Sequence, residues 1–129
     1  MVALTYLSLF TLFSTLALAA PLQSRANSGQ ATFYVPGIGA CGKTNAPTDM
    51  IAAVSGGLFD TFPGAGANPN TNPTCTKQAK VIFKGKSVTV GIVDRCVACN
   101  QNDLDLSPSA FSQLADQSLG RIDMTWEFV

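Results

Sequence analysis

Hydrophobic and polar positions alternate over short stretches of this chain. In "ATFYV" (31–35), Thr32 and Tyr34 share one face, and Ala31, Phe33 and Val35 the other. That period of two predicts a strand, broken by Pro36-Gly37 and Gly39. "MIAAVS" (50–55) is a short apolar run stopped by Gly56-Gly57. Residues 78–94 predict a hairpin around Lys84-Gly85-Lys86, with Val88, Val90 and Ile92 alternating with Thr89, Gly91 and Val93. "LDL" (104–106) is a strand fragment. Ser107-Pro108 then starts a short helix to about Ala115, with Ser at the N-cap, Pro at N1, and Phe111 and Leu114 as its buried stripe. The closing "RIDMTWEFV" alternates strictly: Ile122, Met124, Trp126 and Phe128 face in, and Arg121, Asp123, Thr125 and Glu127 face out. Between these patterns, residues 56–74 are rich in Gly, Pro, Asn and Thr. They predict a long surface loop, too long for a plain connector and hence functional or mobile. Short strands, one short helix and long loops together predict an all-β protein, a small β-barrel. Periodicity does not supply its strand order.

The N-terminus follows another logic. Residues 4–20 carry no charge and end in Ala17-Leu18-Ala19, the pattern of a secretory signal peptide cut after Ala19 or Ala20. A membrane anchor fits less well, because the run is short for a span and Pro21 follows it. The expected organisation is a signal over 1–19, a flexible arm over 20–28, and one domain over 29–129. A second cut after Arg25 is open. The eight basic and eight acidic residues all lie beyond the signal and balance. Charge alone therefore draws the chain to neither nucleic acid nor an anionic membrane. The expectation is an extracellular monomer.

The four cysteines and the absence of histidine narrow the chemistry. In an oxidising compartment an even count implies disulfides. Zinc would need all four thiolates, yet Cys41 and Cys75 stand singly and only Cys96 and Cys99 form a Cys-x-x-Cys. No βαβ context supports a thioredoxin-like site. A local Cys96–Cys99 bridge would fix the turn after Asp94-Arg95. Cys41–Cys75 would close a longer loop, and separate bridges from 96 and 99 to 41 and 75 remain open. Without histidine, Ser-His-Asp and Cys-His chemistry are excluded. Acid–base work falls to groups such as Asp, and the best cluster is Asp94, Asp103 and Asp105. Asp103 and Asp105 project opposite Leu104 and Leu106. The competing roles are structural: Asp94 pairing with Arg95 or capping a turn, and Asp103 simply solvated. Thr32, Tyr34, Phe59 and Phe62 offer hydroxyls or stacking faces to a sugar, unless Phe59 folds under the long loop and Phe62 is merely exposed.

Four stretches carry a family resemblance: "GQATFYVPGIGACGKTN" (29–45), "KSVTVGIVDRCVAC" (86–99), "DLDLSPSAFSQLAD" (103–116) and "LGRIDMTWEFV" (119–129). In order, they resemble the double-psi β-barrels of the RlpA, barwin and expansin type, most closely small secreted fungal members. The resemblance implies a six-stranded double-psi β-barrel with one or two short helices and an open polar groove. It favours Cys41–Cys75. It places a catalytic or binding aspartate at Asp105, a second at Asp94 and a groove threonine at Thr32, with Tyr34 and Arg95 as further groove candidates. Two motifs depart from it. The groove aromatic that expansins carry after the strand-end Asp is replaced by Arg95-Cys96, and the plant histidine motif is missing. The sequence ends at Val129, so the second, aromatic-faced domain by which expansins hold cellulose is not expected.

Three functions follow from these residues. The first is a secreted, non-hydrolytic barrel that binds cell-wall polysaccharide or another glycan, with lytic-transglycosylase-like chemistry at Asp105 if any turnover occurs. Hydrolysis would need a water-activating partner that the sequence does not place. The second is a protein-binding module, such as a cysteine-protease inhibitor or a defence or effector protein, using the 56–74 loop against a secreted protease. The third, ranked last, is a riboflavin-aldehyde-forming-type enzyme, since no flavin or nucleotide fingerprint is present. No metal and no cofactor is expected.

Overall fold

Six strands close on themselves in the order β1-β5-β2-β4-β3-β6 in the computed structural model, which describes residues 26–129. The expected signal peptide and most of the expected arm lie outside the described residues. The strands are β1 Asn27–Phe33, β2 Ile51–Ser55, β3 Gln78–Phe83, β4 Lys86–Cys96, β5 Leu104–Leu106 and β6 Ile122–Phe128. Two helices, α1 Gly56–Thr61 and α2 Pro108–Leu114, pack against the barrel. The anticipated six-stranded double-psi barrel is therefore the observed fold. Its strands are mixed: β1 runs parallel to β5 and β2 parallel to β4, and every other pair is antiparallel. Closure leaves no unpaired sheet edge, which removes a route to aggregation.

Alternation fills the interior. Ala31 from β1, Val54 from β2, Val81 from β3, Val90 and Ile92 from β4, Leu104 and Leu106 from β5 and Trp126 from β6 are all at most 1 % exposed. Phe111 and Leu114 of α2 plug the same core. Ser107 accepts from the Ala110 N–H as N-cap and donates its hydroxyl to the Asp49 carbonyl, as its place before Pro108 predicts. The hairpin turns through Lys84 (φ 46°) and Gly85 (φ 78°), the two left-handed residues that a two-residue turn between twisted strands requires.

Strand β1 lies earlier than its period predicts. It starts at Asn27, because 27–31 pair with 122–126 of β6, and it ends at Phe33. Tyr34 keeps only a backbone bond to Leu106 O, and Val35 is 77 % exposed. Polar Ser28 and Gln30 hid this start, and so did Gly29, whose absent side chain makes room for the Asn102 carbonyl.

The stretch 56–74 is not the irregular loop expected. Ser55 caps α1, and 3₁₀ turns follow at Pro69–Thr71 and Pro73–Thr76, capped by Asn68 and Asn72. Asn72 is buried. Its amide donates to Phe59 O, and its Oδ1 accepts from Thr74 N and Oγ1, which ties the segment to α1. The disulfides are Cys41–Cys75 and Cys96–Cys99, with Cα separations of 5.7 and 5.4 Å, so the crossed pairing does not occur. Constraint of the unfolded chain makes the long bridge worth about 4 kcal/mol and the tight one about 2 kcal/mol at most.

Candidate functional site

The barrel register assembles a row of four side chains. Thr32 of β1 is opposite Asp105 of β5. Asp105 is opposite Ala53 of β2, and Ala53 is opposite Asp94 of β4. Their neighbours Ala31, Leu104, Leu106, Ala52 and Val54 fill the core, so this row stands on the outer face. Strands about 4.8 Å apart put the Cα atoms of Asp94 and Asp105 roughly 10 Å from each other, with only a methyl group between them.

A bulge decides that Asp94 belongs to this row. Ile92 pairs with Ala52, but Asp94, not Val93, pairs with Ala53. Unbroken alternation would aim Asp94 inward beside Val90 and Ile92. The extra residue turns it outward. Its Oδ1 then accepts two backbone N–H groups, from Ala40 and Arg95, each at 2.8 Å. The first bond pins the loop after β1 onto β4, and Cys41 N adds a bond to Val93 O. Gly39 permits this approach, because a Cβ there would collide with the Val93 carbonyl and the Asp94 side chain.

Asp105 is half-buried and accepts a hydrogen bond from the Thr32 hydroxyl at 2.9 Å. Burial pushes its carboxyl above the usual carboxylate range. The Thr32 bond pulls it back, the Asp94 charge raises it again, and Arg121 lowers it. Tyr34 follows Thr32 on the same strand face. Its hydroxyl is buried beside both aspartates, without a hydrogen bond of good geometry. Burial first, then the Asp94 charge, lifts this phenol well above its ordinary range, so it stays neutral and keeps its O–H as a donor. Two carboxyl groups and a neutral phenol on one face can recognise hydroxyl-rich ligands. Asp105, the carboxyl whose pKa burial raises, is the group of the row most suited to proton transfer.

Thr32, Tyr34, Asp94 and Asp105 thus come together. Arg95 does not join them. It follows the bulge on the opposite face, and its guanidinium forms a two-bonded pair with Asp60 of α1, at 2.8 and 2.6 Å. Asp103 is not solvated: it is buried and accepts from Gln30 N and Asn100 N, closing the turn before β5. Phe59 is buried, and Phe62 packs edge-on against Phe128, so neither offers a stacking face to the row. Ala53 and Gly39 carried no chemical signal in the sequence. The small-residue run "IAAV" was the only trace of the floor.

Residues 26–126 match the family described as lytic transglycolase. The chain belongs to this RlpA-like double-psi β-barrel family. It is similar to the papain inhibitor of Streptomyces mobaraensis, 32% identical over 106 residues that cover 79% of this chain and 71% of that protein. Among solved structures, the Streptomyces papain inhibitor superposes with a TM-score of 0.74 at 29% identity, covering 82% of this chain and 96% of that one. A mutant Clavibacter michiganensis expansin in complex with cellohexaose superposes with a TM-score of 0.67 at 25% identity. That match covers 81% of this family member and 50% of the expansin.

Proposed function

We propose that this family member is a secreted barrel that binds cell-wall polysaccharide across the Thr32–Asp105–Ala53–Asp94 row, without hydrolysing it. The observation that carries this reading is the register that lines up two carboxylates and a hydroxyl on one outer face. Similarity to an expansin crystallised with cellohexaose supports a glycan ligand. Pairing of all four cysteines supports an oxidising, extracellular setting. Hydrolysis needs a carboxylate free to activate water or to attack, and Asp94 already spends one oxygen on two backbone donors. Asp105 alone would serve at most a transglycosylation in which the sugar supplies its own nucleophile. Pull-down on chitin, cellulose and peptidoglycan tests the reading. The protein should bind at least one of them, and Asp105→Asn should lose about tenfold or more. Equally weak binding by both proteins would overturn it.

A second reading is favoured by the similarity to papain inhibitors over nearly the whole of the solved inhibitor chain. In it the 56–74 segment, held by Asn72 and the Cys41–Cys75 bridge, forms a rigid edge against a secreted cysteine protease. A papain assay separates the two readings. Inhibition by the full chain, lost on deletion of 64–70, would favour this one.

A further inference from the structure

The outer face of β1 does not end at Thr32. Outward positions recur every second residue, at Ser28, Gln30 and Thr32, roughly 7 Å apart. Gln30 is opposite Asp123 of β6, and Ser28 is opposite Thr125. The Gln30 amide donates to Asp123 Oδ1 at 3.0 Å, and its oxygen accepts from Arg121 Nη1 at 3.1 Å. A trough of about 460 Å³ runs alongside, lined by Ser28, Gln30, Asp123 and Thr125 among others.

We infer that the binding track turns along β1, with Gln30, Arg121 and Asp123 forming a second subsite for further units of one linear, neutral glycan. This rests on the glycan reading of the Asp105 row. The argument has three parts. First, Gln30 is a short step from Thr32 on one strand face, so a chain lying over Asp105 along β1 must cross it. Second, an ordinary surface glutamine samples many rotamers, whereas this one is clamped from both ends. Its second amide hydrogen and second oxygen lone pair stay available to vicinal hydroxyls at little ordering cost. Third, the whole track carries Asp94, Asp105 and Asp123 against Arg121 alone. That excess of negative charge repels uronates and sulfated sugars and admits neutral or amino-bearing ones. Between Ser28 and Thr32 and on to Tyr34 the track is roughly 20 Å long, the footprint of an oligosaccharide and not of one sugar.

Calorimetric titration with neutral cello- and chito-oligosaccharides of increasing length tests this. For the wild type, affinity should rise about tenfold, equal to about 1.4 kcal/mol, from the shortest binding oligomer to the hexamer. Gln30→Ala and Arg121→Met should flatten that rise, with thermal midpoints near the wild type's because Arg121 is exposed and Gln30 is only partly buried on the outer face. Asp105→Asn should weaken oligomers of every length. Full length dependence in both Gln30→Ala and Arg121→Met would overturn the second subsite while leaving the Asp105 row standing. Binding of polygalacturonate as tight as that of neutral oligomers would overturn the charge argument. No oligosaccharide binding by the wild type would remove both the row and the track.

Discussion

The Thr32 hydroxyl donates to Asp105 Oδ1 at 2.9 Å across the parallel β1–β5 pairing. This bond orients the half-buried carboxyl and leaves Oδ2 without a hydrogen bond among the described residues. It also opposes the burial that lifts the Asp105 pKa, so the residue is tuned by two competing effects on one face of the barrel.

The first prediction concerns stability against pH. Burial raises the Asp105 pKa in the folded state above 3.8. Between the unfolded and folded values the folded chain binds more protons, so stability falls as pH rises through that window and stays lower above it. Asp105→Asn removes the charge and should stabilise the protein at neutral pH, by about 0.5–1 kcal/mol. The gain should shrink as pH drops below the unfolded value. Urea midpoints of both proteins at neutral and acid pH check this, and a gain that grows on acidification would contradict it.

Thr32→Val keeps the shape of the strand and deletes the donor. The Asp105 pKa should then rise further, because burial is no longer opposed by this hydrogen bond. Carbon NMR titration of the Asp105 carboxyl measures the shift directly. An unchanged or lowered value would show that the bond does not act on the charged form.

Gly39→Ala should cost about 1–3 kcal/mol, since its Cβ meets the Val93 carbonyl and the Asp94 side chain. Glycan binding should weaken with it, because the loop that holds Ala40 N against Asp94 must move. Gly37→Ala is the control: nothing lies within 4 Å of a Cβ there. Chemical denaturation of the pair should separate them by at least about 1 kcal/mol.

Replacing Cys41 and Cys75 by serine should lower stability by about 4 kcal/mol, against about 2 kcal/mol at most for Cys96 and Cys99. The loop closed by the first bridge spans 34 residues of sequence, that of the second only 3. Guanidinium midpoints of the two double variants should fall in that order.

Local chemistry was legible where neighbours in sequence are neighbours in space. The Ser107 cap, the Lys84-Gly85 turn and the inward stripe of Ile122, Met124 and Trp126 appear as their residues announce. The start of β1 was not legible, because its pairing with β6 satisfies a polar segment that has no apolar pattern of its own. The pairing of Arg95 with Asp60 also escaped, because the α1 helix that carries Asp60 was read as loop.

By itself the sequence determined a disulfide-stapled, all-β barrel and nominated Thr32, Tyr34, Asp94 and Asp105. Side-chain periodicity and turn residues act over a few positions, and those survive in the string of letters. Only the tertiary structure decided that Asp94 faces outward, that Arg95 leaves the row and that Ala53 floors it. Those outcomes depend on register between strands brought together from distant parts of the chain, and on one bulged residue that reverses the alternation of β4.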